Sequence, residues 1–133
     1  MGKIKNGAVV LCVDDEALGL SVRKAMLESQ GYRVFTAENG SDALVLFSAE
    51  PIDLVILDYK LPGMNGDIVA DRMKRLRPCV PILMLSAYVD PPRETAALVD
   101  RYITKGEGVP SLLEAIVDLL SVKHRRSGTI SVG

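Results

Sequence analysis

Three aspartates carry the chemistry this sequence can do. Asp14 and Asp15 close an apolar run, Ala8-Val9-Val10-Leu11-Cys12-Val13, and Asp58 closes another, Ile52-Asp53-Leu54-Val55-Ile56-Leu57. Short, nearly unbroken apolar runs bounded by turn residues read as parallel strands buried on both faces. The carboxyl ends of such strands open on the crevice where α/β sheets bind ligands. Carboxylates crowded at one rim repel one another and raise at least one pKa unless a cation joins them. Magnesium suits such a set, because it takes oxygen ligands in an octahedron and keeps positions open for phosphate oxygens. Ser86 ends the run Val80-Pro81-Ile82-Leu83-Met84-Leu85, and Lys105 follows Arg101-Tyr102-Ile103-Thr104. A hydroxyl and a fixed positive charge at that rim would hold an anion beside the metal.

The elements that must deliver these groups alternate. Leu18, Val22, Ala25 and Met26 fall on one face of a first helix, which Gly31 stops in the usual C-terminal position. Tyr32–Ala37 reads as a strand, and Asn39-Gly40-Ser41 as a turn into a helix carrying Ala43, Leu44 and Phe47, ended by Pro51. After the Ile52–Asp58 strand, Lys60-Leu61-Pro62-Gly63-Met64-Asn65-Gly66 makes a turn. Val69, Met73 and Leu76 mark a third helix, halted by Pro78. Asp90-Pro91-Pro92 opens a short fourth helix, with an acidic N-cap and proline at the first helical position. Arg101–Thr104 is a less apolar strand, as an edge would be, and Leu113, Ile116, Val117 and Leu120 mark a last helix begun near Pro110 and Ser111. Five β-α units in this order imply a parallel sheet with helices on both faces and right-handed crossovers. Residues 123–133 lack periodicity and are expected to form a flexible tail, leaving one domain over residues 7–122.

Composition narrows the classes. With 133 residues, a formal net charge of −1 and no repeat, one globular domain is expected, and bulk charge makes no case for nucleic acid. No stretch approaches the ~18 to 20 apolar residues of a membrane span. Cys12 and Cys79 have no metal-ligand spacing, and Cys12 reads as a small core residue. A cytoplasmic protein is the expectation. Lys123-His124-Arg125-Arg126 reads as a solvated helix end rather than a nucleic-acid patch.

The pair Asp14-Asp15, Asp58 followed by Leu61-Pro62-Gly63-Met64-Asn65-Gly66, Ser86-Ala87, and Tyr102-Ile103-Thr104-Lys105 together resemble the receiver domain of two-component response regulators, of the chemotaxis-regulator kind. The resemblance covers roughly residues 7 to 122. It implies a flavodoxin-like, three-layer α/β/α fold with a five-stranded parallel sheet of order 2-1-3-4-5. It implies Asp58 as phosphoacceptor, taking a phosphoryl group from the phosphohistidine of a sensor kinase or phosphotransfer protein. Mg²⁺ would be held by Asp14, Asp15, Asp58 and the Lys60 backbone carbonyl. Lys105 would pair with Asp58 and then with the phosphoryl oxygens, Ser86 would bond the phosphoryl group, and Tyr102 would turn inward behind it as a switch. Residues of about 91 to 122 would present the readout face to a downstream protein or a second copy of the chain. Such a domain takes part in its own phosphorylation and dephosphorylation and turns over no external substrate.

The chain departs from that pattern in three places. Gly106-Glu107-Gly108 follows Lys105 where the family usually has proline, so a cis bond there is not expected and the glycines suggest a mobile loop. Ser86 and Lys105 are 19 positions apart, fewer than is common, which points to a shortened fourth helix. The chain is expected to end without an output module. The alternative class is a receiver-like interaction module that works without phosphorylation. A nucleotide or flavin site is disfavoured because Asp-Asp-Glu replaces the glycines of a phosphate cradle. A serine hydrolase lacks its elbow glycine around Ser86, and its only histidine would be His124. An aspartate phosphatase would need a second aspartate where Lys60 stands.

Overall fold

Alternate residues of each strand serve two different cores. The computed structural model describes residues 7–87 and 91–132, with side chains to residue 121. In chain order the elements are β1 (Val9–Val13), α1 (Ala17–Ser29), β2 (Arg33–Ala37), α2 (Gly40–Ala49), β3 (Leu54–Leu57), α3 (Gly66–Leu76), β4 (Ile82–Ser86), α4 (Arg93–Leu98), β5 (Arg101–Thr104), a 3-10 turn (Lys105–Glu107) and α5 (Val109–Val132). All strand pairs are parallel, in the order β2-β1-β3-β4-β5, as expected. Val9, Leu11, Val13, Val55, Leu57, Ile82 and Met84 pack against α2 and α3. Val10, Cys12, Leu54, Ile56, Leu83, Leu85 and Ile103 pack against α1 and α5. Burial on both faces is why β1, β3 and β4 read as unbroken apolar runs rather than alternating ones.

The amino ends of the strands are tied by carboxylates. Asp53 Oδ2 accepts from the Val9 amide at 2.8 Å. Asp100 Oδ2 accepts from the Ile82 amide at 2.8 Å and from Lys74 Nζ at 2.6 Å. Gly31, at φ 95°, ends α1 as expected. The Gly31 amide donates to Glu28 and the Tyr32 amide to Leu27, the paired bonds of a Schellman motif.

Several sequence expectations shift. The inward stripe of α1 is Leu20 and Leu27, whereas Leu18 and Val22 are 80% and 62% exposed. Apolar side chains lie on two sides of this helix, and periodicity alone did not fix which side faces the sheet. Leu76 and Val117 also face outward, while Leu112 and Ala115 are buried. α4 begins at Arg93 with Pro92 at the N-cap, two residues later than the Asp90 start that the sequence suggested. Asp90 and Tyr88 lie outside the described residues. α4 is six residues long, short as expected. The segment expected as an irregular tail is instead helical in its backbone to Val132. The side chains of Lys123, His124, Arg125 and Arg126 lie outside those described.

Candidate functional site

Strand parity puts the two buried aspartates on one side of the sheet. Val10 and Cys12 in β1, and Leu54 and Ile56 in β3, face α1 and α5. Asp14 and Asp58, two residues further on, continue that parity at the carboxyl ends. The Asp58 amide donates to Val13 and the Asp14 amide to Ala37, fixing both backbones to the neighbouring strand. Both side chains are buried, at 1% and 7% exposure for the residues. Asp15 is exposed beside them.

Lys105 enters the same space from the end of β5. Its Nζ lies 3.0 Å from Asp14 Oδ2 and 3.3 Å from Asp58 Oδ2. Burial pushes the Asp58 carboxyl above its ordinary pKa, and the Asp14 charge adds to that. Lys105 and the Lys60 amide oppose the rise without cancelling it. Burial also acts to raise Asp14, but the Glu16 amide, Lys105 and Arg23 outweigh it and hold Asp14 below the usual range. Burial alone would lower Lys105, yet its two carboxylate partners raise it. Lys105 lowers both aspartates; burial and the Asp14 charge on Asp58, against the Glu16 amide and Arg23 on Asp14, drive the two apart in acidity.

Two further residues, Arg23 and Glu107, shape the site. Arg23 on α1 reaches Asp14 Oδ2 at 3.4 Å with its side chain 14% exposed. It stands on the inward stripe between Leu20 and Leu27, a helix phase that the sequence alone does not fix. Glu107 Oε2 accepts from the Thr104 amide at 3.0 Å and from its hydroxyl at 3.3 Å. The loop expected to be mobile is therefore a 3-10 turn closed on itself around Lys105. Thr104-Lys105-Gly106-Glu107 has the T-x-x-E spacing of a helix-start signature. No cis peptide bond occurs among the described residues.

The turn after Asp58 explains its glycines. The Gly66 amide donates to the Tyr59 carbonyl at 2.6 Å, folding the start of α3 over the end of β3. A Cβ on Gly66 would stand 2.3 Å from the Asp58 carbonyl oxygen. Gly63 adopts φ 81° in the preceding bend, a conformation that glycine reaches without steric cost. Lys60 is exposed, two residues past Asp58.

Ser86 and Tyr102 take the other parity. Ser86 is buried at the end of β4 beside Thr104, and Tyr102 is half-buried opposite Met84, against the α2–α3 core. Both share the sheet side away from α1 and α5. Cys12 lies in the core beneath the site, its thiol pushed up to about 12 chiefly by burial, so it is inert as a nucleophile.

Carboxylate oxygens of Asp14, Asp15 and Asp58 all lie within 4.8 Å of one another. Magnesium–oxygen bonds of about 2.1 Å span roughly 4.2 Å across an ion, a span close to that of this cluster. An all-oxygen donor group of this kind fits a hard divalent cation.

Residues 10–117 match the response regulator receiver domain family. This chain belongs to that family. Receiver domains are phosphoryl-accepting signalling domains rather than substrate-turnover enzymes. The receiver is 34% identical over 116 residues to the transcriptional regulatory protein GlrR of Escherichia coli (strain K12), covering 85% of this chain and 26% of that protein. It therefore spans about a quarter of that relative's length. Its fold is similar to the response regulator TrrA of Thermotoga maritima in complex with Mg(2+)-BeF, at a TM-score of 0.80 and 34% identity, covering 84% of this chain and 98% of TrrA. TrrA in complex with the histidine kinase ThkA matches equally, at TM-score 0.80 and 34% identity over 85% of this chain and 98% of that one. Among the described residues of the receiver, no helix is long and apolar enough to cross a membrane.

Proposed function

We propose that Asp58 is the phosphoacceptor of this receiver and that its donor is the phosphohistidine of a histidine kinase or phosphotransfer protein. The observation that carries this reading is Lys105 Nζ bridging Asp14 and Asp58, 3.0 and 3.3 Å away, inside a cluster of three carboxylates. An Asp58 oxygen attacks phosphorus as the phosphorus–nitrogen bond breaks, and the freed imidazole nitrogen takes up a proton. Burial makes Asp58 more basic than an ordinary carboxylate and so a better nucleophile. Lys105 holds it in place and afterwards pairs with a phosphoryl oxygen. Asp14, Asp15, Asp58 and the Lys60 carbonyl are the residues that would hold Mg²⁺, which when bound neutralises charge on the in-line transition state.

The added negative charge acts on the other sheet side through Ser86. Its hydroxyl turns toward the phosphoryl group, and Tyr102, on the same side, moves inward with it. The change is read at α4, β5 and α5, roughly residues 91 to 122, by a downstream protein or a second copy of the chain. The functional unit is residues 7–122, acting in the cytoplasm. TrrA's complexes with a kinase and with Mg(2+)-BeF support this reading. The test is acetyl phosphate with Mg²⁺, followed by intact mass. A single acid-labile phosphoryl adduct is expected on the wild type and none on Asp58→Asn. An adduct that survives in Asp58→Asn, or none on the wild type, sinks the assignment.

A further inference from the structure

Arg23 lies three residues after Leu20 and four before Leu27, both buried. The helical period therefore turns it toward the sheet with them. Its guanidinium reaches the same Asp14 oxygen as Lys105, at 3.4 Å against 3.0 Å. Arg23 is also the less exposed of the two cations, at 14% against 27% for the side chains. A surface ion pair would be screened to little consequence; this one meets a carboxylate that is 1% exposed.

The charge balance follows. Asp14, Asp15 and Asp58 supply three negative charges, and Lys105 with Arg23 returns two. The nearby Glu16 is 72% exposed and sits 3.7 Å from Lys105. Without Arg23 the carboxylate cluster would be one unit more negative. A cavity of about 250 Å³ between α1 and the start of α5 is lined by Arg23, Lys105, Val22, Met26, Val109 and Leu112, leaving the guanidinium room to withdraw.

We propose that Arg23 is a resident competitor for the Asp14 carboxylate and weakens the receiver's grip on a divalent cation. The inference rests on the metal-assisted reading proposed above. An arginine cannot lose its charge near neutral pH, so the competition is permanent and yields only by movement of the side chain. Even with the dielectric of water, a unit charge about 6 Å from a divalent ion weakens its binding about tenfold.

The experiment is isothermal titration of the unphosphorylated chain with Mg²⁺ and Mn²⁺ at low ionic strength, for wild type, Arg23→Met and Arg23→Lys. Thermal melts of each establish that all three fold. Arg23→Met is expected to bind both ions about tenfold more tightly, with the gain shrinking in high salt. Arg23→Lys, which keeps the charge, is expected to stay within about threefold of wild type. Equal affinity in wild type and Arg23→Met overturns the inference alone, as does an equal gain in both variants, which would assign the effect to packing. Binding in neither wild type nor Arg23→Met overturns the metal-assisted reading itself.

Discussion

Glu107 reaches back to Thr104: its Oε2 accepts the Thr104 amide at 3.0 Å and hydroxyl at 3.3 Å, closing the turn that carries Lys105. The carboxylate thereby does the positioning that the two neighbouring glycines cannot. Glu107→Ala is expected to cost about 1 kcal/mol of stability and to slow acetyl-phosphate labelling several-fold, with Glu107→Gln recovering most of both. Labelling rates and thermal midpoints of the two variants check this. Labelling at the wild-type rate in Glu107→Ala would detach the turn from Lys105.

The opposed shifts of the two buried aspartates give a signed pH dependence. Folded Asp58 binds its proton more tightly than the unfolded chain does. Ionised Asp58 therefore costs native stability above its folded pKa, and the cost fades as pH falls through the interval down to the ordinary value of 3.8. Asp14 runs the other way: it contributes stability above 3.8 that is lost as pH falls through its lowered folded pKa. Lys105 contributes below its ordinary 10.5, and that part is lost as pH rises through its raised folded pKa. Metal-free Asp58→Asn is expected to melt higher than wild type at pH 7, with the gap closing toward pH 4. Added Mg²⁺ reverses the order, since a ligand at 100 times its Kd stabilises by about 2.7 kcal/mol. Melting curves across pH, with and without Mg²⁺, decide it.

Gly66 has no room for a side chain, because its Cβ would collide with backbone rather than with a movable group. Gly66→Ala is expected to cost on the order of 3 kcal/mol and to lower the thermal midpoint by roughly 10 °C. Gly63→Ala, strained only through its positive φ, should cost about 1 kcal/mol. Equal losses in the two variants would refute the close-approach account of Gly66.

Arg77, past the end of α3, donates to the carbonyls of Phe47 and Glu50 and lies 4.6 Å from the centroid of the Phe47 ring. One guanidinium thus satisfies the open C-terminus of α2 and joins it to α3. Arg77→Lys keeps the charge but not the fork, and about 1 to 2 kcal/mol of stability should be lost. Urea unfolding should show a lower midpoint at unchanged slope, with Mg²⁺ affinity unaltered.

The order of elements, the sheet and the gathering of Asp14, Asp15, Asp58 and Lys105 at one rim were all legible in the sequence. The reason is physical: a parallel sheet sends every strand's carboxyl end to one side, so strand ends identify neighbours that lie far apart in the chain. Helix phase was not legible in the same way. Leu18 and Val22 satisfy helical spacing as well as Leu20 and Leu27 do, and only the packed sheet decides between them. That ambiguity hid Arg23, which looks like a surface cation on one phase and an inward one on the other. Glu107 is hidden differently, because two flanking glycines signal a mobile loop and mask the threonine three residues earlier.

Asp100 anchors the start of β5. The carboxylate grips the Ile82 amide while its own amide donates to the Ile82 carbonyl at 2.9 Å, and Lys74 braces the junction from α3. Sliding the strand along β4 would tear both bonds, shift every pair from Leu83–Arg101 to Ser86–Thr104 and expel Ile103 from its buried seat. The strand that delivers Lys105 to the aspartates is thus moored at its far end, so the lysine hangs from a fixed root.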